Sequence, residues 1–422
     1  MQEQSKPLLM QLNAYQSLVY SPPPKKDTIA SITKHSCALN KRLNSIRISL
    51  TRILSDQLIP QKLSLLFIAL FALVVSISFA KTNVRYAGFC FNGSYVDIPT
   101  NYKYTNLIVQ QKNDNQTILD KEFSRFFQSN SEFNNFSLVF GQASDADKIA
   151  LAIALNREDV AFENINGKTK AIYNLGCTIF ILDFAEMKVI QSYPLKASFI
   201  DLYNQKPSDN TIKDTFTRLY LEKITQQITS NKSNIALRSA NARSMKVANV
   251  TFSADALPYL SFYKDNLKAY SSLIAQHVTE CFAYQMNVTM LPYSKDYLGQ
   301  KMSLAFTDAS VQNFSIPASS YDIDVDVTKF VKKLYKESAA EKVDIYGSYV
   351  NVRIYDAELG TEYWKNEIKY GATKQTSANQ IIEDDFFNYN EVLLATFSKQ
   401  VITTLQEDKK LMKGVIAKCA NY

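Results

Sequence analysis

A chain of 422 residues with 46% apolar and 21% charged residues has the length of two or three domains and too much apolar content to stay disordered. Its ten Gly and two His (His35 and His277) exclude whole classes of chemistry. No two glycines stand two residues apart, so a Gly-rich phosphate loop of the Rossmann or Walker kind cannot be written, and so few imidazoles cannot build a His-rich zinc site. The net charge of +7 lies almost wholly near the N-terminus: residues 1–62 carry nine Lys or Arg against three acids. The near-neutral remainder argues against nucleic acid as a partner.

In chain order, the basic segment 1–62 comes first, with Leu39, Leu43, Ile46, Leu50 and Ile53 at helical spacing, a pattern suited to lying on an anionic membrane surface or to a plain basic linker. Residues 63–80 (LSLLFIALFALVVSISFA) hold no charge and reach the lower length limit for a membrane-spanning helix. Two readings compete. As an anchor, the segment makes a single-pass inner-membrane protein with residues 1–62 in the cytoplasm by the positive-inside rule. As a leader cleaved after Ala80, it makes a periplasmic or secreted protein. Sixty-two residues before the apolar run are too many for a signal peptide, which favours the anchor; a start near Leu58 or Ile59 would favour the leader.

Two modules follow, residues 84–230 and 244–422, separated by the polar, unpatterned stretch 230–243. The first opens with an apolar segment at 86–91, then shows helical spacing at Leu119, Phe123, Phe126 and Phe127, and a second predicted helix near 147–155. An apolar strand at 177–182 ends at Asp183 and returns through 189–193; a helix begun by Ser208 closes the unit, with Ile212, Phe216, Leu219, Ile224 and Ile228 on one face. The second module repeats the order. It opens with the segment 245–252 and continues with a helix carrying Leu267, Tyr270, Ile274, Val278 and Cys281. A strand at 349–355 then ends at Asp356 and returns through 363–368, and a closing helix carries Leu394, Phe397, Val401 and Leu405. The expected fold class is α/β (α+β): two tandem modules of mixed sheet and packed helices, related by duplication.

Beyond the apolar run stand four cysteines, Cys90, Cys177, Cys281 and Cys419, an even number in an oxidising compartment. They allow three disulfide pairings. The module division makes Cys90 with Cys177 and Cys281 with Cys419 the pairs within modules, while buried free thiols are the competing account. Seven Asn-x-Ser/Thr sequons, at Asn92, Asn115, Asn135, Asn231, Asn249, Asn287 and Asn313, occur in an Asn-rich chain where chance supplies several.

The order strand, Asp, short Gly-containing turn, strand and C-terminal amphipathic helix, seen in 350–368 and 389–405, resembles the α/β modules of bacterial curli-export (CsgG-type) and related periplasmic assembly proteins. The resemblance covers about the last third of each module. It implies non-enzymatic docking and ring-forming pieces of envelope machines. The chain departs from that family in having no lipobox cysteine after its leader, since Cys90 follows Gly88-Phe89 well beyond the apolar run. The resemblance therefore does not extend to outer-membrane lipidation or channel formation.

An enzymatic alternative rests on topology, because a tail, one anchor and a lumenal domain is also the layout of a type II glycosyltransferase. The Asp-x-Asp that such an enzyme needs for a divalent cation is offered by Asp322 and Asp324 in YDIDVDV (321–327), with Asp326 next in line. Alternation places all three acids on one face and Ile323, Val325 and Val327 on the other, the pattern of a half-exposed strand. Asp183 and Asp356 read as turn residues bonding their own backbone, and Glu383, Asp384 and Asp385 as acids at a helix N-terminus. His277 with Cys281 would be a nucleophile pair on one helix face, without a third orienting residue. The reading is thus a non-enzymatic extracytoplasmic assembly or scaffold component of a bacterial envelope structure, without a cofactor. It would contact envelope proteins or further copies of itself, and the membrane through 63–80.

Overall fold

The computed structural model describes residues 81–420 except 94, 114–115, 142–147, 166, 239–241, 265, 294–300 and 378–384. The basic tail, the apolar segment 63–80, Glu383 and Asp384 lie outside the described residues. Within the unit Lys81–Tyr422, two mixed sheets are packed with helices.

The first sheet is built on β1 (Thr82–Asn92). After short helical turns come α1 (Lys103–Val109), a small hairpin of β2 (Lys112–Asn113) and β3 (Gln116–Thr117), α2 (Ile118–Ser129) and β4 (Phe136–Val139). Three long strands then form an antiparallel meander: β5 (Ile149–Ile165), β6 (Lys168–Asp183) and β7 (Lys188–Tyr203). β1 runs parallel to both β4 and β5. The module ends in α3 (Asp209–Arg218), a π-helical turn (Leu219–Ile224) and α4 (Thr225–Asn231). Ser208 caps α3 by accepting from the Thr211 N–H, as its residue type and position predict.

The second half begins with β8 (Met245–Phe252) and α5 (Leu267–Gln285). It continues with a hairpin of β9 (Lys301–Phe306) and β10 (Val311–Ser315), then a second meander of β11 (Tyr321–Glu337), β12 (Glu341–Asp356) and β13 (Glu362–Ser377). It then forms α6 (Phe386–Ala395), a π-helical turn (Thr396–Val401) and α7 (Ile402–Glu407), and closes with short helical turns over Lys409–Leu411, Met412–Ile416 and Ala417–Cys419. β8 is parallel to β11, and the sheet order is β13-β12-β11-β8. Each half therefore sets a parallel first strand beside a three-stranded meander that is followed by a helix interrupted by a π turn.

The β9–β10 hairpin belongs to the first sheet although it follows residue 244. β9 pairs antiparallel with β1, Cys90 facing Phe306, and β10 meets β7 at Ser315 and Lys188. This closes β1, β5, β6, β7, β10 and β9 into a small barrel, with β4 outside it. Cys90, Ala154, Phe180, Leu182, Leu304 and Phe314 fill the closed side. The opposite face of β1, β5 and β6 carries Phe89, Leu151, Ile153 and Ile179 into the main core beneath the helices, where Phe89 stacks on Phe123 of α2 at 5.9 Å between ring centroids.

That double coverage explains one error of the sequence reading. The run near 147–155, predicted as a helix, is the start of β5. Leu151 to Leu155 are buried without alternation, because a strand covered on both faces shows a continuous apolar run that resembles a buried helix. The same reading took the second module as self-contained, whereas the hairpin at 301–315 completes the first sheet.

Candidate interaction surface

The second sheet is covered on one side only. Ile323, Val325, Val352, Ile354, Trp364 and Ile368 point into the core, under α5 and the closing helix. Its other face is polar, and the acids that the alternation of 321–327 places there are held by neighbouring strands. Asp324 accepts from Asn249 Nδ2 of β8 at 2.7 Å, from an Arg353 guanidinium nitrogen of β12 at 3.2 Å and from the Tyr355 hydroxyl at 3.3 Å. Asp322 accepts from the Ser319 hydroxyl and has Lys246 Nζ at 4.0 Å; Asp326 accepts from the Thr251 hydroxyl at 2.9 Å. Asp324 thus spends its carboxylate on three donors, while Asp322 and Asp326 each accept one side-chain hydrogen bond. Among the described residues no cluster of three or more His, Cys, Asp or Glu is arranged to hold a metal.

The sheet also ends in an open strand. β13, sixteen residues long, pairs with β12 along one side, and no strand of the described residues pairs with the other. Its solvent-side residues Lys365, Glu367, Lys369, Gly371 and Thr373 are all exposed. Such an edge offers a row of backbone donors and acceptors to another chain. The opposite edge is different: the start of β8 is already bonded, Met245 N–H donating to the Thr289 carbonyl at 2.9 Å and Leu291 N–H to the Met245 carbonyl at 2.9 Å. Sequence reasoning singled out no residue of β13; the signal was the alternation Lys365, Glu367, Lys369 in a strand whose edge position only pairing topology reveals.

The other predicted residues serve the fold. Asp183 Oδ1 accepts from the backbone N–H of Ala185 and Glu186, both at 2.9 Å. Asp356 Oδ1 does the same for Glu358 and Leu359, at 3.1 and 2.9 Å. Asp385 stands at the start of α6 but makes no side-chain cap; it instead accepts from Lys332 Nζ at 2.7 Å and the Tyr346 hydroxyl at 2.5 Å. Four of the sequon amides are also engaged: Asn135 bonds both backbone groups of Leu237, at 2.8 and 2.7 Å, Asn249 donates to Asp324, Asn231 donates to the Gln227 carbonyl at 3.0 Å and Asn313 accepts from the Ser303 hydroxyl at 2.5 Å.

All four cysteines are buried free thiols, so the disulfides suggested by their even number are not formed. Burial pushes each thiol well up, Cys419 to about 12. Cys281 Sγ does lie 3.8 Å from His277 Nε2, which brings the suspected pair together, but Nε2 is 2.8 Å from the Leu394 carbonyl and its proton is directed there. Nδ1 then accepts from Lys196 Nζ at 2.7 Å, and Lys196 pairs with Glu280 at 3.0 Å. Burial, reinforced by Lys196, lowers the His277 pKa and keeps the ring neutral. Burial also raises the Glu280 carboxyl, but the Lys196 ammonium outweighs it and holds that group at about 2. With a neutral ring engaged on both nitrogens and a thiol that stays protonated, the pair lacks an available base and a thiolate. The node ties β7 to α5 and α6. A small cavity beside it, about 20 Å³ and lined by Asn156, Thr178, Gln276 and Thr279 together with Phe180 and Pro194 among others, has room for about one water molecule.

No family model matches the chain. No curated protein matches it either. Among solved structures, a homologue of a neuraminyllactose-binding hemagglutinin from Helicobacter pylori is 10% identical over 43% of this chain and 90% of its own, with a TM-score of 0.23. A minor lipoprotein from Acinetobacter baumannii is 13% identical over 36% of this chain and 92% of its own, with a TM-score of 0.22. A protein described as a lipoprotein from Caulobacter crescentus is 11% identical over 41% and 91%, with a TM-score of 0.22. Likeness at this level assigns neither a function nor a partner.

Proposed function

We propose that the chain is a non-enzymatic, extracytoplasmic assembly component of a bacterial envelope structure that works by pairing its second sheet with protein partners. The observation that carries this reading is the open edge of β13, a sixteen-residue strand that among the described residues has no strand neighbour on one side. An edge of that length, left uncovered while the start of β8 is bonded by residues 289–291, suits β-augmentation, in which the main chain supplies affinity and the flanking side chains select the partner. The apolar run 63–80 and the basic segment before it suit a protein held at a membrane, and the resemblance of 350–368 to envelope assembly modules agrees with a docking role.

The glycosyltransferase alternative loses its main support, because Asp324 is bonded by Asn249, Arg353 and Tyr355 and Asp322 by Ser319. A photo-crosslinking residue placed at Lys365 or Thr373 of the full-length chain, activated in intact envelopes, tests the assembly reading. Discrete adducts with protein, absent when the crosslinker sits on the interior of the fold, are the expected result. Adducts with none, under conditions in which the chain is expressed and folded, would overturn it.

A further inference from the structure

The exposed face of β13 reads Lys365, Glu367, Lys369, a plus-minus-plus alternation along an open edge. Antiparallel pairing of the strand with its own copy puts opposite charges face to face only in certain registers. Centred on Glu367, it sets Glu against Glu and Lys365 against Lys369, which repel. Centred on Ile368, it sets Glu367 of each copy against Lys369 of the other. It also overlaps the strand over Glu362–Lys374, a longer stretch than the Glu362–Tyr370 overlap of a register centred on Asn366.

We infer that β13 is a self-association edge: two copies of this chain join their second sheets antiparallel about Ile368, with reciprocal Glu367–Lys369 pairs across the seam. This deepens the function proposed above and rests on it. Lysines on edge strands commonly oppose pairing; here the intervening glutamate makes them selective, since the charges match when the pairing is centred on Ile368 or Asn366 and repel when it is centred on Glu367, and overlap length favours Ile368. The association closes at two copies, because the interface is isologous and the start of β8, at the far side of the sheet, is already bonded by residues 289–291. Gly371 falls opposite Lys365 of the other copy, leaving that long side chain room to lie across the seam.

The test is sedimentation of the full-length chain in detergent micelles, comparing wild type with Glu367→Lys and with the double variant Glu367→Lys/Lys369→Glu. Wild type sediments as a dimer. Glu367→Lys, which leaves three lysines in a row on that face, weakens dimerisation at least tenfold. The double swap restores it, because Lys at 367 again meets Glu at 369; a register centred on Asn366 would instead set Lys365 against Lys at 367 and give no rescue. Unchanged thermal unfolding of both variants shows that they fold, since the altered side chains are exposed. A monomeric wild type, a dimer indifferent to Glu367→Lys, or a double variant that fails to recover would each overturn the inference. A monomeric wild type that still gives envelope adducts from position 365 or 373 separates the two claims: self-pairing falls and the assembly role stands.

Discussion

Asp183 and Asp356 occupy the same structural position in the two halves: each ends the middle strand of its meander, and one carboxylate oxygen accepts the backbone N–H groups two and three residues on. The turn that follows sends the chain back into β7 or β13. Asp183→Ala and Asp356→Ala should each cost about 1 kcal/mol, the worth of such a local bond, while the Asn variants retain most of it because an amide oxygen accepts in the same place. Urea unfolding of the wild type and the four variants measures this. A loss at one position only would show that the two turns are not equivalent.

The Lys196, His277 and Glu280 node predicts a two-step acid sensitivity. The native His277 pKa lies below its ordinary 6.5, so the unfolded chain takes up that proton first. Stability is full above about pH 6.5 and falls as pH drops through that value toward the native one. Glu280, held at about 2 against an ordinary 4.5, adds a second decline between pH 4.5 and 2, worth up to about 3 kcal/mol. Glu280→Gln should remove the second step relative to wild type and leave the first in place. Urea midpoints from pH 7 to 3 provide the comparison, and parallel curves would refute the assignment.

Replacing Asp322 and Asp324 together by Ala should leave binding of manganese unchanged and lower stability by about 1–3 kcal/mol, since Arg353, Asn249 and Ser319 lose partners. Calorimetric titration with manganese and thermal unfolding decide between the two classes of protein. Saturable manganese binding by wild type that the double variant loses would revive the metal-dependent alternative.

The buried thiols should resist modification. Cys90, Cys177, Cys281 and Cys419 are each at most 3% exposed, and burial holds them protonated, so alkylation of the native protein should leave all four unmodified and denaturation should expose them together. Intact mass before and after reduction should agree. A difference of two mass units would mean that a disulfide forms after all.

Much of the architecture was legible in the residues. The Ser208 cap, the alternation of Asp322, Asp324 and Asp326 against Ile323, Val325 and Val327, and the two Asp-ended turns all follow from local preferences, because caps, pleats and turns are set by the nearest few residues. Composition also excluded the Gly-rich phosphate loops without any fold. What tertiary structure alone decided were matters of distant neighbours. Residues 149–155, within the stretch predicted as a helix, became a strand because the barrel covers β5 on both faces. The hairpin at 301–315 joined β1 and β7 rather than its own module. His277 was kept neutral by burial beneath distant elements and by Lys196 of β7. Lys365, Glu367 and Lys369 acquired meaning only once β13 proved to be an edge. Periodicity reports how many faces of an element are dry, but which segment covers each face is a long-range choice, made by packing among residues hundreds of positions apart.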